Sequence, residues 1–135
     1  MQTNTNQNMQ ERINPFEFQN WEVYKRAVEL VKTCRELSVD QTSVGIKGFT
    51  DQLTRASLSI PLNIAEGYSR YGKKEKLNYF RIAKGSLFEC VACIDVLYKL
   101  GYLDGTLYKQ MGVGMDDIGK MLSGLIRKVD QFENK

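Results

Sequence analysis

Apolar residues recur at steps of three and four from Trp21 to Phe132, and no stretch alternates cleanly between apolar and polar at period two. Steps of three and four put side chains on one face of an α-helix, whereas a half-buried strand needs alternation. The pattern predicts an all-α chain. Trp21, Tyr24, Ala27, Val28, Val31 and Cys34 mark a first helix from about residue 20 to 37, with Asn20 as its N-cap. Phe49, Leu53, Ala56, Ile60 and Ile64 mark a second, from about 48 to 70. Phe80, Ala83, Leu87, Val91, Ile94 and Leu97 mark a third over 73–100, with Gly101 as its C-cap. At 1.5 Å per residue that helix is roughly 42 Å long. Leu107, Met111, Ile118, Leu122, Leu125, Val129 and Phe132 mark a fourth over 104–132. It tolerates four glycines (112, 114, 119 and 124), each costing about 1 kcal/mol relative to alanine. Residues 38–48 read as a polar connection. Four amphipathic helices with short links pack most simply as an antiparallel up-and-down four-helix bundle, a single domain over residues 15–135. Residues 1–14, rich in Gln, Asn and Thr, read as a disordered polar tail.

Pro61 falls in the middle of the second apolar stripe. A proline inside a helix removes the bond to the Ser57 carbonyl and costs about 3 kcal/mol in an exposed setting. The apolar period survives across it, so the expectation is a kinked helix rather than a break, with Ser57 and Ser59 serving the freed backbone groups. This helix is also apolar on two sides. Arg55, Ser59, Asn63, Glu66 and Arg70 form a polar stripe, and beyond it Leu58, Leu62 and Ala65 lie nearly opposite the Phe49–Ile64 set. One apolar side fills the core. The other is expected to form a contact between subunits, with Arg55 and Glu66 paired at its boundary. The alternative is that a kink at Pro61 winds both sets into one core.

A net charge of +3 conceals an uneven distribution. Residues 47–84 carry eight Lys or Arg against Asp51, Glu66 and Glu75, a local +5, which leaves eleven bases against thirteen acids elsewhere. Within that segment Tyr68-Ser69-Arg70-Tyr71-Gly72-Lys73-Lys74-Glu75-Lys76 leads into the third helix, whose N-terminal N–H groups favour an anion. Arg70, Lys73, Lys74, Lys76 and Arg81 are the candidate phosphate contacts, and Tyr68 or Tyr71 the candidate stacking ring for an unpaired base. The plainer alternative is a solvated lysine-rich turn.

Other chemistry is thin. With no histidine, Ser-His-Asp and Cys-His catalysis and most mixed zinc sites are excluded. Cys90 and Cys93 form a CxxC, but deep inside a helix rather than at its N-terminus, so they and Cys34 read as buried structural thiols. Met111, Met115 and Met121 read as core filler, and Asp116-Asp117 as a solvated face. Neither GxxxxGK[ST] nor GxGxxG occurs. No catalytic residue, metal or cofactor is expected. No apolar run approaches the ~20 residues of a membrane span, so the expectation is a cytoplasmic protein with no membrane partner.

The segment Arg55-Ala56-Ser57-Leu58-Ser59-Ile60-Pro61-Leu62-Asn63-Ile64-Ala65-Glu66-Gly67 resembles the signature of the four-helix-bundle proteins encoded by 23S rRNA intervening sequences. Ala83-Lys84-Gly85-Ser86-Leu87-Phe88-Glu89 is similar to that family's following motif, and Trp21-Glu22-Val23-Tyr24-Lys25-Arg26-Ala27 to its opening helix. The resemblance covers about Phe16 to Leu103. Thr54 departs from the family pattern, in which a second arginine often precedes the equivalent of Arg55. The resemblance implies an antiparallel four-helix bundle that assembles as a homopentamer, with Pro61 inside its second helix. It also brings in the accessory variability determinant proteins of diversity-generating retroelements, pentamers that associate with a reverse transcriptase and with nucleic acid. The expected partners are therefore copies of the chain itself, RNA or another nucleic acid, and, as a rival reading, a polymerase-like protein for which the assembly is a scaffold.

Overall fold

The computed structural model describes residues 13–40 and 44–132. A short 3-10 helix, Glu17–Asn20, leads into four long helices: α1 (Glu22–Asp40), α2 (Val44–Ser69), α3 (Lys73–Lys99) and α4 (Gly105–Asp130). Among the described residues there is no strand. Sequential helices pack on one another, and α1 meets α4 less extensively, which completes a bundle. The hydrogen-bonded pairs Gln52–Glu89, Ser59–Ser86 and Arg70–Tyr79 step down α3 as they step up α2. No described helix is long and apolar enough to cross a membrane.

The core follows the predicted stripes with local exchanges. Val23, Ala27, Leu30 and Cys34 of α1 face Leu53, Ala56, Ile60 and Ile64 of α2, Ala83, Leu87, Cys90, Ile94 and Leu97 of α3, and Met111, Met115, Ile118 and Leu122 of α4. Phe49 and Val91, expected inside, are 44% and 39% exposed, and Thr50 and Cys90 are buried in their neighbourhoods instead. Burying Thr50 is affordable because its hydroxyl donates to the carbonyls of Ile46 and Lys47 within its own helix. Phe132, expected on the fourth stripe, lies just past the end of α4 and is 55% exposed.

The expected connection over 38–48 is shorter than its composition suggests, since α1 runs to Asp40 and α2 begins at Val44. The Ser38 hydroxyl lies 3.1 Å from the Cys34 carbonyl, 3.4 Å from that of Thr50 and 3.0 Å from the Thr54 hydroxyl, so polar side chains tie the two helix ends together. Asn20 is not the N-cap of α1. It ends the 3-10 helix and its amide donates to the Asn14 carbonyl, while Trp21 accepts the first helical bond from Lys25. At α4 the cap is regular: the Asp104 carboxylate accepts from the Leu107 N–H at 2.7 Å. The polar tail lies, through residue 12, outside the described residues.

Helix α2 runs through Pro61 without a break, and the proline is buried. Around it the Ser57 hydroxyl donates to the Thr54 carbonyl at 3.0 Å, and the Asn63 amide donates to the Ser59 carbonyl at 2.8 Å and to its hydroxyl at 3.0 Å. The Ser59 hydroxyl in turn meets that of Ser86 at 2.8 Å, which carries the polar stripe of α2 onto α3. Burial of Ile60 and Ile64 on either side offsets the proline's cost.

Candidate nucleic-acid interface

Of the five candidate phosphate contacts, Arg70, Lys73, Lys74 and Lys76 lie at the turn from α2 to α3 and Arg81 two turns into α3, and they are not equivalent. Lys76 reaches back over the turn and its ammonium donates to the carbonyls of Gly67 at 3.2 Å and Tyr68 at 3.0 Å. Those carbonyls belong to the last turn of α2, where that of Gly67 also accepts from the Arg70 N–H at 3.3 Å, so Lys76 is a C-terminal cap for the preceding helix. Burial pulls its pKa below that of an ordinary lysine. Arg70 is likewise engaged. Its guanidinium is 3.1 Å from the Glu66 carboxylate, donates to the Tyr79 hydroxyl at 3.0 Å and lies 4.9 Å from the centre of the Tyr79 ring. Its Nε is buried without a partner. Lys73 stands 4.0 Å from Asp130 at the end of α4.

Lys74 and Arg81 are exposed, and neither has an acid within ion-pair distance among the described residues. Seven residues apart, they lie on one face of α3. The aromatic candidates divide in the same way. Tyr68 is packed, its ring 5.2 Å from Phe18 and 5.5 Å from Trp21. Tyr71 is completely exposed, at 101% of its reference area, immediately before the uncapped N-terminus of α3 at Gly72. The solvent-facing set is thus Tyr71, Lys74 and Arg81. Lys84 continues the face one turn further on, a position the 7-and-3 spacing from Lys74 already contains. Arg127 of α4 shares a groove with Lys84 and was legible only once α3 and α4 were paired in space.

The second predicted surface is also on the outside. Leu58 and Leu62 are 44% and 55% exposed, with Ala65 half-buried beside them, so the two apolar sides of α2 remain separate and Pro61 does not wind them into one core. Within the chain Arg55 and Glu66 do not pair. Arg55 donates to the Gln52 amide oxygen at 3.1 Å, and Glu66 takes Arg70.

The thiols are where the sequence puts them, inside helices. Burial raises all three pKa values, Cys34 to about 11. Among the described residues no group of three potential ligands could hold a metal ion. Asp116 pairs with Lys120 at 3.0 Å and Asp117 with Arg26 at 3.3 Å, so that acidic doublet is spent on surface ion pairs. Met111 and Met115 are buried and Met121 packs against the core.

The sequence profile of the 23S rRNA-intervening sequence protein family matches residues 19–124. A solved structure of a protein with unknown function from the S23 ribosomal protein family of Bacteroides thetaiotaomicron superposes with a TM-score of 0.73. It is 20% identical, over 78% of this chain and 95% of that one, a likeness that speaks for the fold. No curated protein matches the chain.

Proposed function

Since the chain belongs to the 23S rRNA-intervening sequence protein family, we propose that it acts by binding and assembly rather than catalysis: a cytosolic helical bundle that self-associates, as a pentamer, and holds RNA on a basic face. The observation that carries the reading is the set Tyr71, Lys74 and Arg81. Among the described residues no acid pairs with Lys74 or Arg81, which share one side of α3, and Lys74 stands next to a fully exposed ring and a helix N-terminus with no side-chain cap. Phosphate suits that N-terminus, the cations neutralise it, and the ring offers a face to an unpaired base. Arg70, Lys73 and Lys76 shape the turn that presents them. Two cations are a weak site in one copy. Five copies would carry +15 in all and repeat the set around one particle, where weak contacts add.

Titration of a single-stranded RNA at several salt concentrations tests this. Affinity should fall steeply with salt, and Lys74→Glu with Arg81→Glu should flatten the slope and weaken binding at least tenfold without lowering the melting temperature. Undetectable binding at low salt, or binding unchanged in the double variant, refutes the RNA reading. A mass of 15.5 kDa by light scattering at micromolar concentration refutes the assembly.

A further inference from the structure

Among the apolar surfaces left uncovered on the described residues, two differ in shape. One is convex: Leu58, Leu62 and Ala65 at i, i+4 and i+7 form a ridge along the outside of α2. The other is concave. Between α3 and α4 two hollows of ≈ 680 and ≈ 630 Å³ share Phe88, Val91, Gly112 and Met115 and so form one continuous groove. Phe88 is 60% exposed at its edge and Val113 65%. Gly112 costs the helix about 1 kcal/mol, yet a Cβ there would meet nothing within 4 Å. The chain itself gives no reason for leaving that place bare, whereas a backbone or side chain arriving from outside would.

The charges narrow the occupant. The groove's acids are already engaged, Asp116 by Lys120 and Asp95 by Lys99 and Tyr108. Its cations Lys84, Lys109 and Arg127 have no acid within 4 Å among the described residues, and Lys109 and Arg127 stand towards opposite ends. The ridge has an acid at each end: Asp51, exposed and with no base within 4 Å among the described residues, and Glu66, which pairs with Arg70 of its own helix. From Asp51 to Glu66 is about 22 Å along the helix, and from Lys109 to Arg127 about 27 Å.

We infer that the α2 ridge of one copy seats in the α3–α4 groove of the next. This rests on the reading of the protein as self-associating and assigns both halves of the contact. A ridge meeting a groove, repeated in one direction, is a heterologous contact that closes into a ring or runs on as a filament.

Mixing variants tests it. Leu62→Lys removes the ridge and Val113→Lys the groove, and both side chains are exposed in the monomer, so the fold is kept; helical circular dichroism checks this, and Leu58→Lys with Phe88→Lys repeats the design. By light scattering each variant alone should have the mass of one chain. Mixed at high micromolar concentration, they should form a 1:1 dimer, because one intact ridge and one intact groove remain. If the groove variants assemble like the parent while the ridge variants do not, the groove is not the seat, though self-association stands. A mixture that stays monomeric also overturns the inference. A parent protein that is itself monomeric removes the self-association reading and the inference with it.

Discussion

The Lys76 ammonium donates to the Tyr68 carbonyl at 3.0 Å, across the turn that joins α2 to α3. A lysine that looks like a phosphate ligand in the sequence is therefore holding the end of one helix against the start of the next. Lys76→Gln should lower stability by about 1–2 kcal/mol, the worth of hydrogen bonds from a charged donor to the carbonyls of a helix end. At this chain length that is a fall of roughly 3–8 °C in melting temperature. Lys74→Gln, two residues away at an exposed position with no ion pair among the described residues, should leave the melting temperature unchanged. Thermal unfolding of the two variants side by side checks the contrast, and equal effects would show that Lys76 is not a cap.

Gly67 is fixed by Phe80. A Cβ on Gly67 would fall within 2.7 Å of Phe80 Cδ1 and against the rest of that edge of the ring, which is itself buried in the core between α3 and α4. Gly67→Ala should therefore destabilise by about 1–3 kcal/mol through overpacking, despite alanine's better helix propensity. Phe80→Leu in the same chain should recover part of the loss. Denaturant unfolding of the two single variants and the double variant measures the coupling, and simple additivity would refute the contact.

Four long helices were legible because their apolar residues repeat at helical steps, and the bundle follows from having nowhere else to bury those stripes. Rotation about each helix axis was less legible. Phe49 and Thr50, or Cys90 and Val91, differ by one position, and the Thr50 hydroxyl is admitted to the core because carbonyls of its own helix accept its hydrogen bond. The outward ridge of Leu58, Leu62 and Ala65 was visible as a second apolar bearing on α2. The split among the cations was not, because composition treats Lys74 and Lys76 alike. Only the path of the chain shows that one of them faces the carbonyls of Gly67 and Tyr68 and the other faces water.

The three thiols make a prediction of their own. Cys34 and Cys90 are fully buried, and burial raises both pKa values, so at pH 8 neither is appreciably ionised or reachable in the folded protein. Cys93 is only partly buried, and its pKa is raised as well, by burial and then by the Glu89 charge. An aromatic disulfide reagent at pH 8 should modify Cys93 slowly and the other two only on unfolding. Cys93→Ser should abolish the native-state reaction. Prompt modification of all three would mean that the α1–α3 core opens far more readily than its packing suggests.

At the opposite end of α3, Asp95 accepts from the Tyr108 hydroxyl at 2.7 Å and from Lys99 at 2.8 Å, and the Tyr108 ring is stacked on Tyr98 with centroids 4.1 Å apart. The carboxylate thus clamps the start of α4 to the end of α3. Its hydrogen bonds from Lys99 and Tyr108 hold the Asp95 pKa below its ordinary 3.8, and the same bonds raise those of Lys99 and Tyr108 above 10.5 and 10.0. The signs give a window. A depressed carboxylate contributes stability that is complete above 3.8 and is lost as pH falls through its folded value; a raised phenol or ammonium contributes stability that is complete below 10.0 and is lost as pH rises through its own. Asp95→Asn should therefore lower the melting temperature by a constant amount between about pH 5 and 9, and the deficit should shrink below pH 4. The cluster is solvent-accessible, so the deficit should also narrow at high salt. Melting curves of the parent and variant from pH 2.5 to 9 provide the check, and a deficit that persists at the acid end would mean that the Asp95 charge is not what joins the two helices.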